Sequence, residues 1–190
     1  MVGAVLTQNT AWTNVEKAIL QLKQHNLLDA QAIMDSDIDL LAQVIRPSGY
    51  YNVKAKRLRA LCAWYLQQGG AEVLATWSMA DLRAGLLAVN GVGPETADDI
   101  VLYAFYHPDF IIDAYTRRIF SRLGLIDEKD SYADLQAQFE NAIPADVKTY
   151  AHYHALIIEC GKQLCKTKPR CEICCLRDNC KAAATSGAKQ

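Results

Sequence analysis

The chain has 190 residues, 51% of them apolar, which is enough for one packed core or two small lobes and excludes a disordered protein. Its 20 Lys and Arg offset 21 Asp and Glu to a formal net charge of −1, so any contact with a polyanion must come from local patches rather than a global field. No apolar run approaches the roughly 18 residues of a membrane span, and the start has no basic segment leading into a long apolar stretch, as expected of a cytoplasmic protein with no membrane partner.

Met1 is followed at once by the apolar run from Val2 to Leu6 with no cap before it, the pattern of a chain whose preceding helix is missing. Apolar residues then recur at helical spacing, as in Val15, Ala18, Ile19 and Leu22, and again in Leu58, Leu61, Cys62 and Tyr65. Cys62 falls on the apolar face and reads as core. Ser36 with Asp39, Ser78 with Asp81 and Ser131 with Asp134 each pair a hydroxyl with a following acid as a capping box does. Breaks are expected at Arg46-Pro47-Ser48-Gly49, Gly69-Gly70, Asn90-Gly91-Val92-Gly93-Pro94, His107-Pro108 and Ile143-Pro144. This punctuation yields eight or nine short helices. Phe110-Ile111-Ile112 is the one extended piece and is too short to found a sheet, so the fold class is all-α. The tail after Cys180 reads as frayed.

The stretch from Leu86 to Ala97 joins two helical patterns through Asn90-Gly91-Val92-Gly93-Pro94. Both glycines can take positive φ, and Pro94 and Thr96 suit the first turn of the second helix. Backbone N–H groups at such a helix start bind a phosphate without a basic side chain; an ordinary tight turn is the plainer alternative. About 20 residues on, Phe110-Ile111-Ile112 delivers Asp113 to a helix that carries Arg117 and Arg118. Taken alone, Asp113 is an N-cap.

Six of the seven cysteines lie between Cys160 and Cys180. That clustering speaks against a disulfide scaffold, whose cysteines would be spread along the chain, and for a metal site. Cys165, Cys171, Cys174 and Cys180 have the spacing C-x5-C-x2-C-x5-C, which can close around zinc or a 4Fe–4S cluster, and the spacing does not choose between them. Cys160 and Cys175 fall outside this spacing. From Cys160 onward there are seven Lys and Arg against two acids, a local basic patch that includes Lys168 and Arg170. His152 and His154 read as satisfied interfacial histidines, because a spacing of two puts them on different helix faces.

The glycine hairpin, the Asp113-led helix and the cysteine cluster together resemble the endonuclease III (helix-hairpin-helix) superfamily of DNA glycosylases, from about Val5 to Cys180. The segments Leu6-Thr7-Gln8-Asn9-Thr10-Ala11-Trp12 and Pro47-Ser48-Gly49-Tyr50-Tyr51 look most like its 3-methyladenine glycosylase branch. The resemblance implies a two-lobed fold, with a helical barrel over residues 1–107 bearing the hairpin and a lobe over residues 108–190 bearing a 4Fe–4S loop rather than zinc. It implies a monomer acting on double-stranded DNA with a damaged base. Gly91, Val92 and Gly93 would grip the DNA backbone; by charge alone, Lys168 and Arg170 of the basic patch read as phosphate contacts, and Lys54 and Lys56 as phosphate contacts or solvated charges. Gln8 and Tyr50 would fill the gap left by a flipped base, and Trp12 would line its pocket. Asp113, where the lobes meet, would stabilise the positive charge that builds on the sugar or orient the attacking water. Bifunctional members carry a nucleophilic lysine just after the hairpin, where this chain has Glu95, and a carboxylate cannot form an imine. The expectation is therefore hydrolysis of the glycosidic bond on an alkylated purine, without strand cleavage. Within the same class, the alternative substrate is an oxidised or deaminated pyrimidine. A noncatalytic DNA-binding protein is the alternative outside it.

Overall fold

In chain order the helices of the first unit are α1 (Val2–Leu6), α2 (Trp12–Gln24), α3 (Ala30–Asp35), α4 (Ile38–Val44), α5 (Tyr51–Gln67), α6 (Gly70–Leu74), α7 (Met79–Leu87) and α8 (Pro94–Phe105). Those of the second are α9 (Ala114–Leu123), α10 (Tyr132–Ala142), α11 (Val147–Gln163) and α12 (Lys181–Ser186). Short 3-10 turns lie at Arg46–Ser48, Cys171–Ile173 and Arg177–Asn179, and no strand occurs among the described residues. The structure is a computed structural model that describes residues 1–186, with side chains described as far as Ala184. The chain divides into two compact units, Met1–Phe105 and the residues from Tyr106 onward.

The described helices number twelve, not eight or nine, because α1, α3 and α6 are only five or six residues long, too short for an apolar period to register. The breaks fall where turn chemistry put them. α5 gives way to α6 through Gly69 and Gly70, both at positive φ, and α8 and α10 stop just before His107-Pro108 and Ile143-Pro144. Ser78 and Ser131 cap α7 and α10, each accepting the amide of the acid three residues on. Ser36 does not cap α4. Asp37 does, through the Asp39 and Leu40 amides, while the Ser36 hydroxyl turns back to the Ile33 carbonyl. The residues just after Cys180 are helical as α12, not frayed; residues 187–190 of that expected tail lie outside the described residues.

The first unit is organised around α5, which packs on α1, α3, α4 and α6. The apolar faces read from the sequence are the buried ones: Val15, Ala18 and Leu22 of α2 and Leu58, Leu61 and Cys62 of α5 are all inside. Each such leucine contributes about 1.5–3 kcal/mol by leaving water. Helices α7 and α8 pack on each other across the glycine turn, tied by the Arg83 guanidinium to the fully buried Asp98 carboxylate at 2.7 Å. In the second unit the extended segment Phe110-Ile111-Ile112 is core, at most 2% exposed. Phe110 stacks on Phe139 at 4.6 Å between centroids and meets the Tyr150 ring edge-on at 5.2 Å. This packing fixes the chain that delivers Asp113 to the start of α9.

Candidate active site

The hairpin between α7 and α8 has one glycine at positive φ, not two. Gly91 is at +86° and a side chain there would run into Arg57, whereas Gly93 keeps an ordinary φ with open space around it. The Val92 side chain is buried, and its amide donates to the Val89 carbonyl at 3.1 Å, so Val92 has no amide to offer a phosphate. Glu95 is exposed in the first turn of α8.

Gln8 lies against this hairpin. Its side-chain amide donates to the Gly91 carbonyl at 3.0 Å and to the Thr96 hydroxyl at 2.9 Å, and its carbonyl accepts from Arg57. The expected gap-filling residue is therefore docked on the turn, which it buttresses. Tyr50 is 70% exposed and left-handed at φ +46°, directly after Gly49 at φ +68°. Holding a tyrosine there costs about 1–3 kcal/mol, an expense typical of working residues. Trp12, the first residue of α2, is half exposed and lies near Gly3.

Lys54 is not a phosphate contact. It is 1% exposed, and its ammonium donates to the Leu6 and Ser48 carbonyls, both at 2.7 Å. Burial, helped by the charge of Arg57, lowers its pKa to about 8. The lysine satisfies two carbonyls, one at the end of α1 and one in the 3-10 turn before α5.

Asp113 is both an N-cap and a buried anion. One carboxylate oxygen, Oδ1, accepts the Thr116 amide at 2.6 Å and the Thr116 hydroxyl at 2.7 Å, while Oδ2 lies 3.7 Å from Nε2 of His154 on α11. The residue is only 7% exposed. Burial pushes its pKa up, but the His154 imidazole beside it and the Thr116 hydrogen bonds outweigh that effect and hold it below the ordinary carboxylate value of 3.8. The carboxylate is thus ionised at neutral pH in spite of its burial. His154 was missed by the sequence reading as a partner for Asp113. The signal was its place on the buried face formed by Tyr150, His154, Ile157 and Gly161.

Cys165, Cys171, Cys174 and Cys180 line one cavity of about 250 Å³ with Arg122, Arg170 and Arg177. Among the described residues no three His, Cys, Asp or Glu converge as a ready-made ion site. Zinc would need its four donors about 2.3 Å from one ion. A 4Fe–4S cluster instead gives each thiolate its own iron, so its donors stand apart around a cavity, and the cationic rim suits an anionic group. The four thiols around one arginine-rimmed cavity can serve as the donor set of an anionic metal group. Cys160 does not line the cavity, and burial raises its thiol to about 11. Cys175 is exposed, and Cys62 is core with its thiol raised to about 11 by burial. Two arginines of α9 grip the loop. Arg118 donates to the Cys165 carbonyl at 2.8 Å, and Arg122 donates to the Lys166 carbonyl and lies 3.3 Å from the Cys165 sulfur. Lys162, Lys166, Lys168, Arg170, Arg177 and Lys181 are all exposed, so the local basic patch stands on the surface.

The profile of the HhH-GPD superfamily of base excision DNA repair proteins matches residues 2–145. A presumed DNA repair glycosylase of Methanocaldococcus jannaschii is 46% identical over 183 residues, covering 95% of this chain and 83% of its own. Among solved structures, a non-covalent endonuclease III–DNA complex superposes with a TM-score of 0.85 at 25% identity, covering 99% of this chain and 84% of that one. The 3-methyladenine DNA glycosylase MagIII of H. pylori, bound to 1,N6-ethenoadenine, superposes at 0.77 with 32% identity over 85% of this chain and 83% of that one. With its two helices hinged on a glycine turn and an Asp-capped helix after them, the chain belongs to the HhH-GPD superfamily of base excision DNA repair glycosylases.

Proposed function

We propose that this glycosylase is monofunctional, flips an alkylated purine of the 3-methyladenine type out of duplex DNA, and hydrolyses its bond to deoxyribose with Asp113. The observation that carries the reading is a carboxylate kept ionised while 7% exposed. As the base–sugar bond breaks, its electron pair leaves with the base and positive charge builds on the sugar ring, which a fixed anion in a dry setting stabilises. Water adds its oxygen to the sugar carbon and gives up a proton, for which Asp113 is the acceptor. An alkylated purine is a cation before it leaves and neutral afterwards, so its departure asks for one anion and no general acid.

Other residues support the same reading. Tyr50 and Trp12 offer exposed aromatic surface, and a cationic base gains a cation–π attraction on an aromatic face that a normal base lacks. Tyr50 and Gln8 are the pair for the gap in the duplex, with Gln8 leaving the hairpin to enter it. Gly93, open and exposed, is where a phosphate approaches the start of α8, and Lys168 and Arg170 add phosphate contacts on the basic patch. Glu95 stands where a lysine nucleophile would be needed for strand cleavage. Cys165, Cys171, Cys174 and Cys180 would hold a 4Fe–4S cluster, which when bound serves as a structural staple for the loop. Likeness to a 3-methyladenine DNA glycosylase at 32% identity points the same way.

The test is release of free base from methylated duplex DNA. Free 3-methyladenine from wild type, with no borohydride-trappable imine, is the expected result. The higher TM-score of the endonuclease III–DNA complex favours a second reading, a glycosylase with lyase activity on oxidised pyrimidines. Thymine glycol release accompanied by a trapped imine would select it. Binding of lesion duplexes without release of any base would leave a noncatalytic DNA-binding protein.

A further inference from the structure

A carboxylate that takes part in the reaction needs one oxygen held and the other presented. Asp113 Oδ1 is held twice by its own helix, through the Thr116 amide and hydroxyl. That leaves Oδ2, and Oδ2 faces the His154 imidazole, whose Nε2 lies 3.7 Å away. The distance is in ion-pair range and longer than a direct hydrogen bond, as catalytic contacts often are before substrate tightens them. His154 is 7% exposed on a face whose other members, Tyr150, Ile157 and Gly161, are packing residues. Placing an imidazole there, instead of another apolar group, costs desolvation that packing alone would avoid.

The surroundings make the pairing specific. From α9, the Arg117 guanidinium is committed to the Glu128 and Asp130 carbonyls and that of Arg118 to the Gly161 and Cys165 carbonyls. On the segment before α9, Asp109 accepts from Gln136 of α10, the Phe110 amide donates to Glu140, and the Ile112 amide donates to the Tyr132 hydroxyl. From α11, His152 is exposed and Tyr150 packs on Phe110. Of the groups around the Asp113 carboxyl, the His154 imidazole is the one that faces Oδ2. The ring is held in register because α11 meets α9 closely at Gly161, where a side chain would collide with the Tyr115 ring, and because Arg118 lies over that ring at 5.0 Å. Two turns of α11 thus separate a close-packed anchor from the imidazole it aims.

We propose that His154 is a positioning residue for Asp113: it fixes the orientation of the carboxylate through Oδ2 toward the place where the sugar charge develops. The proposal rests on the reading of Asp113 as the reacting carboxylate. It assigns His154 no contact with DNA.

The experiment compares wild type, His154→Ala, His154→Gln and Asp113→Asn as full chains on three measurements. The first is the single-turnover rate of base release from methylated duplex DNA, the second is affinity for the same duplex, and the third is the Asp113 carboxyl titration followed by carbon-13 NMR. For His154→Ala the expected result is a rate lower by about 10²-fold with near-unchanged affinity, and an Asp113 titration midpoint moved upward because burial then acts without the facing imidazole. His154→Gln, whose amide can donate to Oδ2, is expected to recover most of the rate and to restore the low midpoint. A wild-type rate and midpoint in His154→Ala overturn the proposal, as does a glutamine variant no better than alanine while both remain folded. The underlying reading fails separately. If Asp113→Asn releases base as fast as wild type, Asp113 is not the reacting group; if wild type releases none, the alkylated-purine reading falls; if Asp113→Asn is inactive and His154→Ala is not impaired, only the role of His154 falls.

Discussion

The two most informative polar residues, Asp113 and Lys54, are both buried, and each is buried for a different reason. Asp113→Asn keeps an oxygen for the Thr116 amide, since asparagine caps as well as aspartate, but removes the charge. Base release is expected to fall by about 10²–10³-fold, with the variant still folded by circular dichroism and still binding duplex. Because the folded carboxyl has a depressed pKa, its charge contributes stability that is present above the unfolded value and lost as pH falls through the folded one. The stability advantage of wild type over Asp113→Asn is therefore expected to be full at neutral pH and to shrink below the ordinary value of 3.8, a trend that urea unfolding at several pH values measures. Lys54→Ala strands the Leu6 and Ser48 carbonyls and is expected to cost about 2–5 kcal/mol in the same unfolding experiment. It should leave the salt dependence of DNA binding unchanged, whereas losing a true phosphate contact would lower that slope by about one. Asp113 was legible in the sequence as an N-cap because an acid entering a helix after an apolar stretch is a local pattern; its proposed role in the reaction came from the resemblance. The fate of Lys54 and the partnership of His154 were not, since each depends on groups brought from distant parts of the chain.

Among the elements, the hairpin separates packing from binding most cleanly. Gly91→Ala forces a side chain into Arg57 at positive φ, and is expected to destabilise the protein by at least about 1 kcal/mol and to release Gln8 from the turn. Gly93→Ala meets nothing, so its thermal stability is expected to match wild type within about 0.5 kcal/mol, while its affinity for duplex DNA is expected to fall because the new methyl would stand at the proposed phosphate contact. Equal DNA affinity in Gly93→Ala and wild type would remove the hairpin from the binding surface. The helix boundaries around this turn could be read from Gly, Pro and the capping serines. That only one of the two glycines uses its freedom could not, because φ is set by how Gln8 and Arg57 pack on the turn. Ser36 misled for a related reason: Asp37 beside it caps equally well, and sequence does not rank neighbouring caps.

For the molecule as a whole, the all-α class, the core faces and the grouping of the cysteines were visible as periodicity and spacing. The shared cavity was not, since it depends on how the two 3-10 turns fold the loop and how Arg118 and Arg122 hold it on α9. Protein purified without air is expected to carry about four irons per chain. Cys165→Ser should lose the associated visible absorbance, while Cys160→Ser and Cys175→Ser keep it; iron retained in Cys165→Ser and lost in Cys160→Ser would reassign the first ligand. No helix of the described residues is long and apolar enough to cross a membrane. The most direct test of the central claim remains chemical. Chromatographic quantification of the base freed from methylated duplex DNA, with enzyme in excess, should show 3-methyladenine released by the native chain and only background release by Asp113→Asn at equal DNA occupancy. Equal release by both proteins would contradict the account.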